Sequence, residues 1–430
     1  MKKIFILSFI LISLCTKGYS TTLFDALKQT YNDNIQLNAE RENYKASEED
    51  INISKAEYKP SLILSGSKSF EETNKLTNQS GGDAAFNDVD PFTTSIKLEQ
   101  TLLDFDRGIS HERNIIGLDL ASAKLIKKEQ DIFYEAIEAY TQLILASETL
   151  DINKSNLNLL SRQVENDKIR LDRGQITITD LSQSESSFAG AQAQFIEAKN
   201  NLLIAKLTYE NVIGEINDPN SLKKELSAIV NTPKSLNDAI SISKRKNPDI
   251  LIAKFEFNQT EKDLESSKAD LKPTAALSLE RSYSEDVSSI IDKREKDTLT
   301  TTLSWPFYSG GKKRSTINKN ANLTSRKRLL LDDTIQTNET NVTSAWSSLE
   351  SSRSFLNSVK VQVKAAKIAN EGIVAEYERG SRTTLDVIQS NALLLSAQIS
   401  LASSERNYLL SQYDLLKSVG LLNSEYLKLK

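Results

Sequence analysis

The chain has 430 residues, of which 54 are Lys or Arg and 58 are Asp or Glu, so its formal net charge is −4. This near balance argues against the strongly basic surface that marks nucleic-acid-binding proteins. One cysteine, Cys15, and one histidine, His111, are too few for a disulfide framework or a multi-histidine metal site, so composition gives no support for a redox or metal enzyme.

The N-terminus has the pattern of a secretory signal peptide, which we predict for residues 1–20. Two lysines precede an apolar run, IFILSFILISL, and small residues follow at Gly18 and Ser20. The run is about half as long as a membrane-spanning helix requires. We therefore expect cleavage after Ser20. Because Cys15 lies inside the signal, the mature chain has no thiol.

The first mature segments read as one helix and then two strands. Residues 24–58 are predicted to form a helix of about 35 residues that ends at a Lys-Pro pair, because the residue before proline avoids the helical conformation. Two segments of alternating polarity follow, at 62–70 and around Ile96 and Leu98, with a polar loop between them. Strands of about ten residues can cross an outer membrane when they are tilted.

Two long helices are predicted next, at 106–173 and 178–214. No proline lies between 92 and 218 to interrupt them. Along 178–214, large residues recur every seven positions with small residues between them, which indicates knobs-into-holes packing with close helix approach. The large residues are Leu181, Phe188, Phe195, Leu202 and Tyr209, and the small ones are Ser184, Ala191, Ala198 and Ala205.

The second part of the chain repeats the first. LFDAL at 23–27 matches LNDAI at 236–240, and RGQITITD at 173–180 matches RGSRTTLD at 379–386. We predict a signal peptide (1–20), repeat 1 (21–215), a linker (216–233), repeat 2 (234–422) and a C-terminal tail (423–430). Repeat 2 should contain a helix at 237–271, strands near 275–283 and 299–307, and helices at 312–379 and 384–420.

The strand count bears on assembly. Two strands per repeat give four per chain, whereas the smallest membrane barrels have about eight. Open sheet edges are not tolerated in lipid, so several chains must share one barrel. Three chains would contribute twelve strands.

These features resemble the outer membrane efflux protein family, the TolC-like trimeric channel-tunnels, over essentially the whole mature chain. The resemblance lies in LFDAL, in both junctions between a Lys-Pro pair and a strand, in LSWPFYSGGKKRSTINKNANL at 303–323, and in the segment 377–423 that begins YERGSRTTLDVIQSNALLLSAQ. It implies a mainly α chain with a small β part. In a homotrimer, these parts form a long coiled-coil α-barrel in the periplasm and a twelve-stranded transmembrane β-barrel in the outer membrane.

The resemblance also implies a function and a set of partners. The protein would be the exit duct of a tripartite efflux or type I secretion system, passing small molecules or proteins from an inner-membrane transporter and a periplasmic adaptor protein to the outside. Thr179, Asp180, Tyr377 and Arg382 match positions that hold the helix pairs together in a closed periplasmic gate. Gly174 and Gly380 match tips that meet the adaptor, Asp386 matches an entrance carboxylate ring that favours cations, and Trp305 with Phe307 would belong to a membrane-barrel aromatic belt. One turn after Asp386, relatives often carry a second carboxylate, but here Gln389 stands, which puts the strength of cation selectivity in doubt.

Each of these residues also has a structural interpretation. Gly174 and Gly380 suit helix C-termini that need a left-handed residue. Thr177 with Asp180, and Thr383 with Asp386, fit capping boxes at the starts of the next helices. These roles can coexist with the functional ones.

Tyr377 and Arg382 differ in how far packing explains them. Tyr377 continues a heptad series and could be a core residue. No seam or cap requires Arg382, which we predict to pair with Asp180. His111 is expected to be a solvated helix residue without a functional role.

One rival function remains open, a periplasmic coiled-coil scaffold protein without a pore. Long heptads alone would fit it, but a scaffold would not need two alternating segments in each repeat. The sequence has no phosphate-binding loop and no recognisable nucleophile or base, so it predicts neither an enzyme nor a cofactor. Energy for transport would come from the partner transporter.

Overall fold

A computed structural model describes residues 21–72, 74–75, 77, 79–83, 89–216, 218–288 and 291–429. The predicted signal peptide lies outside the described residues. The helices are α1 (Leu23–Asp33), α2 (Ile35–Ala56), α3 (Asp106–Asp172), α4 (Ile178–Val212), α5 (Leu236–Lys246), α6 (Pro248–Ala269), α7 (Lys312–Glu378) and α8 (Thr384–Val419). The strands are β1 (Ser61–Lys68), β2 (Phe92–Leu103), β3 (Thr274–Ser288) and β4 (Ile291–Ser304). The order helix, helix, strand, strand, helix, helix occurs twice, and the expected mainly α chain with four strands is confirmed. The repeat and linker bounds stay a prediction.

The four long helices agree closely with the sequence prediction. α3 and α7 each have 67 residues, and each ends two residues before the glycine of its turn. Such a helix is about 100 Å long at 1.5 Å per residue. Among the helices in the described part of the chain, none combines the length and the apolar character needed to cross a membrane.

The first helix of each repeat is interrupted, which corrects the prediction of continuous helices at 24–58 and 237–271. Asn34 and Asn247 both leave the helical region, with ψ angles of 122° and 124°. The Asn34 side chain donates to the Val212 carbonyl at 3.0 Å, and the Asn247 side chain donates to the Ser418 carbonyl at 2.8 Å. Each break therefore joins the start of its repeat to the end of that repeat's last helix.

The four strands form one antiparallel sheet in the order β1-β2-β3-β4. β2 and β3 come from different repeats and pair from Phe92 with Glu285 to Leu103 with Ala275. β1 and β4 are the edges. The expected length of about ten residues holds only roughly, since β1 has 8 residues and β3 has 15.

The chain divides into two compact units, and each contains segments of both repeats. Unit 1 comprises the described residues of Met1–Ala39, Ile126–Asn247 and Thr337–Lys430. Unit 2 comprises those of Glu40–Leu125 and Pro248–Gln336, and includes the sheet.

Unit 1 has a well-packed core built around aromatic side chains from three long helices. Phe133 and Tyr140 of α3, Tyr209 of α4 and Tyr413 of α8 are all at most 2% exposed. Two of the buried tyrosines also fix the segment between the repeats. The Tyr140 hydroxyl donates to the Lys223 carbonyl at 2.7 Å, and the Ile229 amide donates to the Tyr413 hydroxyl at 3.0 Å.

The heptad pattern predicted for α4 is confirmed by burial, and α8, its counterpart in repeat 2, shows the same pattern. The small residues lie in the interior, where they allow neighbouring helices to approach closely. Buried small residues are Ser184, Ala191, Ala198 and Ala205 in α4, and Ser390, Ala397, Ser404 and Ser411 in α8. Leu181, which begins the series of large residues in α4, is buried as well, and so is its counterpart Val387 in α8.

Unit 2 holds its helices together with ion pairs. Arg113 of α3 contacts Asp263 of α6 at 2.5 Å, and Lys327 of α7 contacts Glu256 of α6 at 2.6 Å. His111 does not behave as a purely solvated residue. Its Nδ1 lies 2.7 Å from the hydroxyl of Ser54, which is 1% exposed, so His111 helps to attach α3 to α2.

Candidate functional site

Two turns in unit 1, α3–α4 and α7–α8, have nearly the same backbone geometry. Gly174 and Gly380 have φ angles of +71° and +83°, in the left-handed region that glycine adopts at little cost. The Gly174 amide donates to the Leu171 carbonyl at 2.8 Å, and the Gly380 amide donates to the Tyr377 carbonyl at 2.9 Å. Both glycines therefore end their helices as predicted.

Capping boxes start the two helices that follow. The Asp180 amide donates to the Thr177 hydroxyl at 3.2 Å, and Thr177 donates back to the Asp180 carboxylate from its amide at 2.9 Å. Thr383 and Asp386 make the same bonds at 3.2 and 3.0 Å. The predicted caps are confirmed, and each satisfies amide groups that a helix start leaves free.

The capping bonds keep both carboxylates ionised. Hydrogen bonds from the backbone and side chain of Thr177 lower the pKa of Asp180, and those of Thr383 lower the pKa of Asp386. Asp386 also lies near the positive charge of Arg382, which lowers its pKa further. Each turn thus presents a stable negative charge.

Arg382 pairs with a different residue from the one predicted. Its Nε lies 2.7 Å from a carboxylate oxygen of Glu376, and both side chains are about half exposed. Within the described part of the chain, no hydrogen bond or ion pair joins Arg382 or Tyr377 to Thr179 or Asp180. The expected pair between Arg382 and Asp180 is therefore wrong for the single protomer, because Glu376, six residues earlier, is within reach across the same turn.

Tyr377 is buried and binds a residue that the sequence prediction missed. Its hydroxyl donates to Asp167 of α3 at 2.7 Å and lies 3.3 Å from the Thr384 hydroxyl at the start of α8. Asp167 is fully buried and also accepts from Ser184 of α4 at 2.5 Å. One carboxylate and one phenol therefore connect all four helices near the turns. We call Asp167, Ser184, Tyr377 and Thr384 the buried cluster.

The surroundings of Tyr377 favour its neutral, donating form. Burial, together with the hydrogen bond to Asp167, raises the pKa of Tyr377 above its ordinary value. The Arg170 guanidinium lies 4.2 Å from the centre of the Tyr377 ring, a cation–π distance. Its positive charge lowers the pKa of Tyr377, but by less than burial and Asp167 raise it. Tyr377 therefore keeps its proton, and with it the bond to Asp167, throughout the neutral range.

A signal for Asp167 was present in the sequence. Its counterpart 206 residues later is Ile373, an apolar member of the heptad series. A carboxylate where the duplicate has isoleucine indicates either an exposed face or a buried polar partner. The partner, Tyr377, lies 210 residues away, so sequence spacing alone could not identify it.

In unit 2, one face of the sheet carries a row of leucines across all four strands. Leu62, Leu98, Leu279 and Leu299 are successive cross-strand partners, and all are exposed. Leu64 and Ile96 extend the apolar surface by one row on β1 and β2. In that row β3 and β4 carry Arg281 and Asp297, which pair at 3.8 Å. An exposed apolar surface of this kind marks a region that contacts a membrane or another protein.

The opposite face of the same sheet is polar. Directly paired residues share a face, and successive residues alternate between faces. The row next to the leucines contains Lys97, Glu280 and Thr298, with Ile63 as its one apolar member, and the row beyond it contains Ser65, Ser95, Ser282 and Lys296. Lys97 forms an ion pair with Glu99 on this face. The sheet therefore has one face suited to lipid and one suited to water.

The predicted strand near 299–307 is corrected: β4 spans Ile291–Ser304, so Trp305 and Phe307 lie just after its end. Their rings meet edge to face at a centroid distance of 6.0 Å, and Phe307 is 87% exposed. The Trp305 indole donates to the Leu271 carbonyl at 3.2 Å. The two aromatics thus lie at the sheet end nearest α7, with their apolar surfaces uncovered.

Comparison with known proteins supports the same family as the sequence motifs. The pattern of the outer membrane efflux protein family matches residues 26–215 and 239–421. The outer membrane efflux protein BepC of Brucella suis biovar 1 (strain 1330) is 27% identical over 417 residues, which cover 96% of this chain and 88% of BepC. The alkaline protease secretion protein AprF of Pseudomonas aeruginosa is 22% identical over 426 residues, covering 97% of this chain and 88% of AprF.

Solved structures show the same fold. The outer membrane channel CmeC of Campylobacter jejuni matches with a TM-score of 0.79 at 14% identity, over 93% of this chain and 85% of CmeC. The open state of the Neisseria gonorrhoeae outer membrane channel MtrE matches with a TM-score of 0.77 at 15% identity, over 93% of this chain and 89% of MtrE.

Proposed function

The chain belongs to the outer membrane efflux protein family, and from this premise we infer that it is an outer membrane exit duct. It receives cargo in the periplasm and releases it outside the cell. Its relatives carry names from both efflux and protease secretion. Either kind of cargo, small molecules or proteins, is compatible with such a duct.

The observation that carries this proposal is the four-stranded sheet with one leucine-bearing face and two edges, β1 and β4. In lipid, an edge must be paired, because each unsatisfied backbone group costs several kcal/mol. Four strands are too few to close a barrel around a lumen. A homotrimer with twelve strands pairs each β4 with the β1 of a neighbouring copy, turns the leucines to lipid and turns the polar face to the lumen. Trp305 and Phe307 then form part of the aromatic belt at the periplasmic end.

The two turns of unit 1 form the periplasmic entrance of this duct. Gly174 and Gly380 mark the tips that contact a periplasmic adaptor protein, which joins the duct to an inner-membrane transporter. Thr179, Asp180, Tyr377 and Arg382 hold the entrance closed, and three copies of Asp386 form the carboxylate ring. The exposed positions of Thr179 and Arg382 leave both side chains available to a neighbouring copy.

Fractionation and electrophysiology together test the proposal. The purified protein should come from the outer membrane fraction, migrate as an SDS-resistant, heat-modifiable trimer, and produce ion-conducting channels in planar lipid bilayers. A matched variant, Leu279→Asp with Leu299→Asp, places charges on the lipid-facing row and should not assemble in the membrane. A wild-type protein found as a soluble periplasmic monomer, without channel activity, would support the scaffold alternative instead.

A further inference from the structure

The chain between β4 and α7 places exposed aromatic side chains directly before a run of cations. We call residues 305–314 the basic junction. Every charged residue from 312 to 328 is a lysine or an arginine, so the positive charge is not balanced along α7. The aromatic residues of the junction are Trp305, Phe307 and Tyr308, all exposed, and after two glycines its cations are Lys312, Lys313 and Arg314.

The aromatic residues continue the apolar face of the sheet. Leu299 and Leu303 lie on the face that carries the row of leucines, since alternate residues of a strand share a face. Trp305 occupies the next alternate position, and its indole donates to the Leu271 carbonyl at 3.2 Å. In the proposed barrel this face contacts lipid. The aromatic residues therefore lie where acyl chains meet headgroups, the level that tryptophan and tyrosine prefer, and the cations that follow lie at the headgroups.

Two of the three cations have no partner in the described part of the chain. Lys313 donates to the Asp270 carbonyl. The side chains of Lys312 and Arg314 are exposed and make no hydrogen bond or ion pair with another described residue. Cations in a first turn do not stabilise a helix, because the helix start already carries partial positive charge. Neither helix stability nor an internal ion pair therefore accounts for Lys312 and Arg314.

The equivalent part of repeat 1 lacks this excess of positive charge. α3 and α7 both have 67 residues, so Lys312 and Arg314 correspond to Asp106 and Gly108. Arg107, the counterpart of Lys313, stacks on the ring of Tyr58 at 4.9 Å. The fold that the two repeats share can therefore start its long helix without free cations. The cations of the basic junction are a feature of repeat 2 alone.

We propose that the basic junction binds the phosphate groups of anionic phospholipids in the periplasmic leaflet of the outer membrane. Lys312 and Arg314 contact the phosphates, and the three aromatic side chains pack against the upper acyl chains. The proposal rests on the proposed channel function, which places the row of leucines in lipid. An anionic surface attracts each nearby cation strongly enough to raise binding about fivefold, so these two cations favour phosphatidylglycerol over a zwitterionic lipid.

Fluorescence quenching by brominated lipids tests this proposal on the full-length protein. Trp305 and Trp346 are its two tryptophans, so Trp346→Phe leaves Trp305 as the reporter. This protein is reconstituted in bilayers of phosphatidylcholine and phosphatidylglycerol, with bromine on the acyl chains of one lipid at a time. At an ionic strength of about 0.15 M, phosphatidylglycerol should be preferred about fivefold or more at Trp305. The preference should fall towards one at about 1 M salt, where charges are screened within about 3 Å.

Two pairs of substitutions on the same background make the test specific. Lys312→Gln with Arg314→Gln should reduce the preference about fivefold or more, to near one. Lys319→Gln with Arg326→Gln is the matched control, since it removes the same charge from exposed positions of the same helix. These positions lie about 10 and 20 Å further along α7 than Lys312. That is beyond the screening distance of about 8 Å, so the control should keep the preference.

The outcomes separate this inference from the channel function. A protein absent from the outer membrane fraction and without channels would overturn the proposed function. Channels in which both brominated lipids quench Trp305 equally would overturn the lipid site alone. An equal loss of preference in both double variants would also overturn it, because net charge would then explain the effect. If Lys312→Gln with Arg314→Gln loses the SDS-resistant trimer, the cations serve a neighbouring copy unless the Trp346→Phe protein shows the salt-dependent preference, which supports the lipid site.

Discussion

Gly420 should be among the glycines of this chain least tolerant of substitution. It ends α8 with a φ angle of +89°. A Cβ built on it would overlap the carbonyl group of Lys246 and would lie 2.7 Å from the Cα of Asn247. These are backbone atoms at the break between α5 and α6, where the Asn247 side chain donates a hydrogen bond to the Ser418 carbonyl. They have little freedom to move aside.

Comparison with Gly380 gives the size of the expected loss in the free energy of unfolding. Gly380 has a similar φ angle of +83°, but a Cβ there would meet nothing within 4 Å. Gly380→Ala should therefore cost only the strain of a left-handed alanine, about 1–2 kcal/mol. Gly420→Ala should cost that strain and, in addition, about 1–3 kcal/mol for the overlap with backbone.

Chemical denaturation of the detergent-solubilised trimer, followed by far-UV circular dichroism, measures the difference. The midpoint should fall further for Gly420→Ala than for Gly380→Ala, with similar slopes for both variants. Equal shifts of the two midpoints would refute the reasoning, since the left-handed strain is common to both. A larger shift for Gly380→Ala would show that the α7–α8 turn, and not the junction at Asn247, limits stability.

Three further predictions concern the entrance and the core of unit 1. Arg382→Ser should raise single-channel conductance, because we assign Arg382 to the closed entrance and neither a helix seam nor a cap requires this cation. Glu376→Gln is the matched change at its ion-pair partner. An unchanged conductance in Arg382→Ser would count against a gating role for Arg382. Asp386→Asn should lower the cation selectivity measured by reversal potential in a salt gradient, and Gln389→Asp should raise it. Because the Thr383 hydrogen bonds lower the pKa of Asp386, the wild-type selectivity should persist as the pH falls to about 4 and decline below that; a selectivity already lost at pH 6 would contradict this. Burial raises the pKa of Tyr134 and Tyr209 to about 12, above the ordinary value of about 10, so the protonated phenols stabilise the fold fully below pH 10. That stabilisation should be lost as the pH rises from about 10 towards 12, with a smaller loss in Tyr209→Phe, and a denaturation midpoint that is constant over this range would disagree.

The long helices could be predicted because their information is local. Heptad spacing and the absence of proline identify α3, α4, α7 and α8 within the segments that form them. Burial of Ala191, Ala198 and Ala205 follows from the same spacing. The capping boxes are also local, since Thr and Asp three residues apart satisfy the amides of their own helix start.

The interrupted helices were predictable in one repeat and not in the other. Asn247 precedes Pro248, and the residue before proline avoids the helical conformation. The same rule ended the predicted helices at their Lys-Pro pairs. Applying it also at Asn247 and Pro248 would have predicted the break between α5 and α6. Asn34 is followed by Ile35 and carries no such signal, and its break depends on the bond to Val212. Only the alignment of Asn34 with Asn247 could have suggested it.

The sheet face and the buried cluster lay beyond sequence reasoning for a common reason. The row of Leu62, Leu98, Leu279 and Leu299 depends on the register of three strand pairs, and a shift of one residue would put each leucine on the opposite face. The bond between Asp167 and Tyr377 similarly joins positions 210 residues apart. Local sequence patterns determine where the helices and strands lie. The leucine row and the buried cluster depend instead on which distant helices and strands pair.

The two repeats carry different residues at equivalent positions near the turns. The backbone of the two turns is nearly the same, so both helix pairs end at equivalent glycines. At equivalent positions, however, repeat 1 has Arg170, which stacks on Tyr377, and repeat 2 has Glu376, which binds Arg382. If both repeats had the apolar residues found at Ile373 and Leu171, the four helices would pack at this level through apolar contacts alone. Placing one buried carboxylate and one phenol among them adds a polar contact between the pairs near the turns. At the other end of α8, the ion pair between Lys417 and Asp131 of α3, at 2.8 Å, joins the same two pairs.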